Sequence, residues 1–176
     1  MSDDDDSSKQ LSWISIAIVL LIFLTGAKVH ALPSEPAYVH HEEMGATHME
    51  FWLKTVDLDT VPSKYLNPSD HQFTEDEMRE MLSLAGWSGN RLEQALIISW
   101  HESRWICSED RVGDGGAARC LFQIHEYPWS AYVGIAPSDL DSPLFNAVSA
   151  RLICERELTR NSNCWKQWSV AWAVGE

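Results

Sequence analysis

The seventeen residues from Leu11 to Ala27, LSWISIAIVLLIFLTGA, carry no charge and no polar face. A helix of that character does not lie on the surface of a globular domain. The run is at the short end for a membrane span and is long enough for the core of an export signal. Val29-His30-Ala31 puts small residues where a signal peptidase would cut. Against cleavage, Lys9 is the sole basic side chain among the first ten residues, whereas both signals and cytoplasmic flanks prefer a basic start. A retained anchor is favoured over a cleaved signal. Either way the remainder of the chain is extracytoplasmic, membrane-anchored or secreted.

All four cysteines, Cys107, Cys120, Cys154 and Cys164, follow that segment. An even count in an oxidising compartment predicts two disulfides, with three pairings open. No CxxC and no Cys/His zinc spacing occurs. The net charge of −13 excludes nucleic acid as a partner, because such binding needs clustered Lys and Arg. It also counts against a freely diffusing enzyme of anionic cell walls, and suits a domain brought to its target by a tether or particle. Nine tryptophans suggest a core with one or two left in a cleft, where an indole face can stack on a sugar ring.

The chain divides into four parts. Residues 1–10 form an acidic, disordered tail and residues 11–31 the anchor or signal. Residues 32–70 read as a linker or stalk, with Pro33, Pro36, Pro62 and Pro68 and one short helix near His48 to Val56. His40-His41-Glu42-Glu43 lies there, but adjacent residues on a flexible chain rarely close around a metal, so none is assigned. Residues 71–176 form the globular domain. Thr74 and Glu77 make a capping box, with Met78, Met81 and Leu82 on the buried face of the helix that follows and Gly86 ending it. A second helix starts at Ser88-Gly89-Asn90 and buries Leu92, Ala95, Leu96 and Trp100. Val112 to Ala118 is a glycine-rich loop, Leu121 to Ile124 a short strand or helix edge, and Pro137 to Pro143 a turn region. Phe145 to Leu158 is a third helix and Trp165 to Trp172 a fourth. The fold class is mainly α, of α+β type, with a small loop or hairpin.

Glu102 is the candidate for chemistry. It ends the apolar run ALIISW, where desolvation disfavours its charge. A helix C-terminus also disfavours an anion, and Trp105, three residues on, would wall off water on the same face. A carboxyl kept protonated near neutral pH can donate to a glycosidic oxygen. Taken alone, Glu102 would read as a solvated acid at a helix end.

Four segments in order change that reading: Gly86-Trp87-Ser88-Gly89 with the run Ala95 to Ser103; Gly113 to His125, containing Leu121-Phe122-Gln123-Ile124; Asp141-Ser142-Pro143-Leu144-Phe145-Asn146-Ala147; and Trp165-Lys166-Gln167-Trp168-Ser169. Together they resemble the lysozyme-like lytic transglycosylase family, especially forms carried in phage particles, and more distantly the goose-type lysozymes. The resemblance covers Ala85 to the C-terminus. It implies a lysozyme-like fold, bacterial peptidoglycan as substrate, and no cofactor or metal. It gives Glu102 the acid/base role, Ser103 a hydrogen bond at the catalytic floor, and Gln123 a contact with the sugar or with Glu102. Trp172 falls where an aromatic lies close to the sugar. Phe122 and Ile124 would be wall and core, and Trp165 and Trp168 core.

Two departures bear on this. Cys120 stands where the family has glycine, and would crowd the cleft unless tied to Cys107; Cys154 would then pair with Cys164. Trp172-Ala173-Val174-Gly175 replaces a Tyr-Asn-Ala-Gly run, which weighs against the lyase relative to the hydrolase. Asp114 is a candidate water activator, or equally a turn residue before Gly115. If Asp114 is passive, the resemblance implies that the sugar's N-acetyl group assists, and that either the 6-hydroxyl or water attacks. The expectation is a glycosidase of the MurNAc–GlcNAc β-1,4 bond, anchored through Leu11–Ala27 or associated with virion proteins. The alternative is a catalytically weak structural or glycan-binding protein of lysozyme fold.

Overall fold

The computed structural model describes residues 39–109 and 113–175. The apolar run Leu11–Ala27 and the acidic tail lie outside them, and no described helix is long and apolar enough to cross a membrane. In chain order the elements are α1 (Val39–Thr55), a 3₁₀ turn (Leu58–Thr60), α2 (Ser63–Leu66), β1 (Ser69–Gln72), α3 (Glu75–Leu84) and α4 (Gly89–Ser103). Then come β2 (Ile106–Cys107), a 3₁₀ turn (Asp114–Gly116), β3 (Ala118–Arg119), β4 (Ile124–His125), α5 (Glu126–Val133), a 3₁₀ turn (Pro137–Asp141), α6 (Pro143–Asn161) and a last 3₁₀ turn (Ala171–Val174). The fold is mainly α, with two short antiparallel pairs, β1–β2 and β3–β4.

Local chemistry accounts for the helix ends. At α3 the Thr74 hydroxyl accepts from the Glu77 amide while the Glu77 carboxylate accepts from the Thr74 amide, so the capping box forms as expected. Met78, Met81 and Leu82 are fully buried on that helix. Gly86, at φ +89°, follows the end of α3 in a conformation that glycine adopts without penalty. Helix α4 stops where Arg104 and Trp105 both turn left-handed. Its buried side holds Ala95, Leu96, Ile98 and Ser99; Leu92 is half-buried, and Trp100, expected inside, is exposed. Trp100 instead lies under the Arg104 guanidinium and edge-on to Trp105.

Helix α6 is the central element and packs against α1, α2, α3 and α5. Beside it lies an aromatic stack: Trp87 is parallel to Trp165 at 5.3 Å between ring centroids and to Phe122 at 6.1 Å. Each buried indole nitrogen donates to a partner: Trp87 to the Ala147 carbonyl, Trp168 to the Phe122 carbonyl and Trp165 to Gln94 Oε1. Four of the eight described tryptophans, Trp52, Trp87, Trp165 and Trp168, are core; Trp105 and Trp129 are partly buried against it, and Trp100 and Trp172 are exposed, so fewer are core than the composition suggested. Phe122 and Ile124 are both core residues.

Two sequence expectations need correction. Residues 39–70 are not a stalk. Met49, Trp52 and Tyr65 are buried in the same core as the rest, and the Tyr65 hydroxyl donates to Glu80 at 2.7 Å. Helix α1 lies so close to α5 that a Cβ on Gly45 would overlap the Tyr132 carbonyl oxygen. The folded unit thus begins well before residue 71, and the described residues, 39–109 and 113–175, belong to one compact body. Second, Trp165–Trp172 is not an α-helix but a series of turns ending in the 3₁₀ turn Ala171–Val174. Trp165 and Trp168 reach the core from a chain held at Cys164, which is bonded to Cys154 on α6, while Trp172 stays exposed.

Candidate active site

Glu102 is the penultimate residue of α4, on the side turned away from Ile97 and Trp100. It opens into a cavity of about 410 Å³. The hairpin loop supplies one wall through Gly113, Asp114, Ala118, Gln123 and His125; the C-terminal turns supply the other through Gln167, Trp168 and Ser169. Burial pushes the Glu102 carboxyl up from its ordinary value of 4.5. No cation among the described residues pairs with it to oppose that shift, so the neutral acid is favoured.

The wall facing Glu102 is held by backbone pairing and one side chain. Ala118 pairs with His125 and Arg119 with Ile124, and Gly113 bridges to Ala118. Gln123 braces this loop: its Oε1 accepts the Gly113 N–H at 3.0 Å and its Nε2 donates to the Cys120 carbonyl at 2.8 Å. Asp114, in the turn after Gly113, has Oδ2 2.9 Å from His125 Nε2. Behind the hairpin, Asn146 on α6 accepts the Phe122 N–H and donates to the Arg119 and Leu140 carbonyls, which fixes the tight turn from outside the cavity.

Cys120 does not crowd this cavity. It sits at φ +57°, a conformation that favours glycine, and its buried side chain is bonded to Cys107, with 4.4 Å between the Cα atoms. The bridge ties β2, directly after α4, to the hairpin turn, and so links the Glu102 helix to the opposing wall. Both expected disulfides, Cys107–Cys120 and Cys154–Cys164, are present.

Glu102, Asp114 and Gln123 thus share one cavity, while three other residues are placed elsewhere. The Ser103 hydroxyl donates to the Ser99 carbonyl at 3.0 Å and accepts the Trp105 amide, so it fastens the end of α4 and does not line the cavity. Trp105 is beyond the helix, where its indole nitrogen donates back to the Leu96 carbonyl and Ser99 hydroxyl; it does not shield Glu102. Trp172 is exposed and rests edge-on against His101, outside the Glu102 cavity. His125, Gln167 and Ser169 line the cavity without having been singled out from the sequence, although each sits inside or beside a motif that was. Nothing in the spacing distinguishes His125 until β3–β4 pairing brings it to Asp114.

A cavity of about 430 Å³ opens on the other side of α4, floored by Leu96 and Trp105. Its charged groups already satisfy one another, Arg79 bridging Glu75 and Glu93, whereas the other cavity holds Glu102, which pairs with no cation among the described residues. The latter is therefore the candidate site. Among the described residues no group of three or more His, Cys, Asp or Glu is placed to hold a metal ion. Compared with protein-family models, curated proteins and solved structures, the chain matches none.

Proposed function

We propose that this domain is a peptidoglycan glycosidase that cleaves the MurNAc–GlcNAc β-1,4 bond, with Glu102 as the general acid. The observation that carries this reading is one desolvated carboxyl, paired with no cation among the described residues, sharing a cavity of about 410 Å³ with a second carboxylate, Asp114. Glycosidic cleavage asks for that asymmetry. One carboxyl must be neutral to protonate the leaving oxygen, and another group must be basic or charged to assist attack at the anomeric carbon. Burial supplies the first at Glu102; the exposed, His125-paired Asp114 supplies the second. Trp168 gives the cavity an apolar surface for a sugar ring, and Gln167 and Ser169 give it hydrogen-bonding groups.

The two disulfides support an oxidising, extracytoplasmic location. The acidic net charge of −13 favours delivery by the Leu11–Ala27 segment, as a membrane anchor or within a virion, over free diffusion to an anionic wall. A second reading, a glycan-binding domain of weak or no activity, draws on Gln123 and Ser103. The resemblance assigns both to the site, yet both are engaged by backbone groups of their own loop or helix.

Incubating the full-length, oxidised chain with purified peptidoglycan and weighing the soluble products separates these readings. Fragments with reducing ends indicate a hydrolase, and 1,6-anhydro fragments indicate a lytic transglycosylase. Binding without release assigns the protein to the second reading.

A further inference from the structure

We propose that His125, oriented by Asp114, is the base that takes the proton from the attacking water, making the enzyme an inverting hydrolase. This rests on the glycosidase reading above. The arrangement comes from the hairpin. Pairing of Ala118 with His125 brings the imidazole back beside the Gly113–Asp114 corner, where Nε2 lies 2.9 Å from Asp114 Oδ2. A carboxylate accepts only, so Nε2 carries the hydrogen in that bond and Nδ1 keeps its lone pair. Nδ1 has no hydrogen-bond partner among the described residues, and both His125 and Asp114 line the cavity that holds Glu102. Two environments thus separate two roles across one cavity. The acid lies where burial is unopposed, and the base lies where an anion stabilises the imidazolium that forms.

In the step, the Glu102 hydroxyl gives its proton to the glycosidic oxygen as that oxygen parts from the anomeric carbon. A water oxygen bonds to the carbon from the opposite face while His125 Nδ1 takes the water's proton. Asp114 balances the resulting positive charge, and solvent returns the proton to Glu102 after product leaves. The new hemiacetal has inverted, α, configuration. Asp114 is then a positioning residue rather than the base itself.

The test uses the full-length, oxidised chain and soluble glycan strands prepared from peptidoglycan, with the first-formed anomer read by proton NMR. The wild type is expected to release the α-anomer. His125→Ala is expected to lose roughly 10²–10⁴-fold in kcat, the usual worth of a general base, with KM little changed. Azide, a nucleophile that has no proton to lose, is expected to restore turnover of His125→Ala and yield the α-glycosyl azide; a merely structural histidine would not respond this way. Release of the β-anomer or of anhydro sugar by the wild type overturns the inference and leaves the glycosidase reading standing. A His125→Ala kcat within about threefold of wild type, or a loss that azide does not restore, does the same. Absence of any cleavage by the wild type overturns both.

Discussion

The Gly113 amide donates to Gln123 Oε1 at 3.0 Å, closing the glycine-rich loop onto the residue just before the return strand β4. The contact leaves no room for a side chain: a Cβ on Gly113 would come within 2.7 Å of that same oxygen and 3.3 Å of Ala118 Cβ. Gly113→Ala should push Gln123 off its brace and shift Asp114 with it. The expected cost is about 1–3 kcal/mol of stability, the range for an overpacked site, with a larger proportional loss of activity. Thermal melts and wall-clearing assays on the same preparation check it. A variant as active as wild type would show that the brace does not position the site.

The Thr74–Glu77 capping box makes a prediction about acid stability. Lys64 first, then the Thr74 amide and His71, hold the Glu77 carboxyl down to about 2. A depressed value in the folded state adds stability above the ordinary value of 4.5, and that stability is lost as pH falls from there towards 2. Glu77→Gln should therefore melt below wild type at pH 7, with the gap closing progressively between pH 4.5 and 2. Thr74→Ala should cost about 0.5–2 kcal/mol by removing the cap. A Glu77→Gln gap that is the same at pH 7 and pH 3 would contradict the assignment.

Cys107–Cys120 closes a loop with a sequence separation of 13 and couples the Glu102 helix to the opposing wall. Loop entropy of that order is worth about 3 kcal/mol. Non-reducing peptide mapping should recover Cys107 joined to Cys120 and Cys154 joined to Cys164. A Cys107→Ala/Cys120→Ala variant should lose activity at temperatures where it remains folded, because the two walls are no longer held in register. Retention of full activity under those conditions would limit the bridge to a role in stability.

What the sequence made legible follows from where local chemistry decides the outcome. The Thr74–Glu77 box, the buried face of α3 and the stop at Gly86 depend on neighbours within one or two turns, and they appear where expected. Helix α1 was legible only in its second half, as the short helix expected near His48 to Val56, and its place in the core was hidden. Met49, Trp52 and Val56 stand at helical spacing, but the histidines, glutamates and nearby prolines around them dilute the pattern, and only packing against α5 and α6 shows what they bury. Trp165, Trp168 and Trp172 imitate helical spacing for a different reason. The first two are placed by a bridged turn and by indole bonds to Gln94 and Phe122, while Trp172 remains outside. The site divides in the same way. Glu102 was visible from its apolar run, but the pairing of His125 with Asp114 exists only once the β3–β4 hairpin closes. Trp105 could not be placed from helical spacing, because α4 ends before reaching it.

Glu102 itself gives an opposite pH signature. Its folded-state value is raised, so ionising it above the ordinary value of 4.5 works against the fold, and stability is lost as pH rises through the raised value. Glu102→Gln removes that ionisation. The variant should melt at or above wild type at pH 7, with the difference disappearing below about pH 4.5. Differential scanning calorimetry across that range checks it; a variant less stable at pH 7 than at pH 4, relative to wild type, would mean that the carboxylate is stabilised by a partner.

The most direct test of the central claim is the release of soluble glycan from purified peptidoglycan by the full-length wild type and by Glu102→Gln, each verified as folded and disulfide-bonded. The account predicts release by the wild type and its loss in Glu102→Gln, in a protein that melts no lower at neutral pH. Release by Glu102→Gln at the wild-type rate would remove Glu102 from the chemistry and contradict the account.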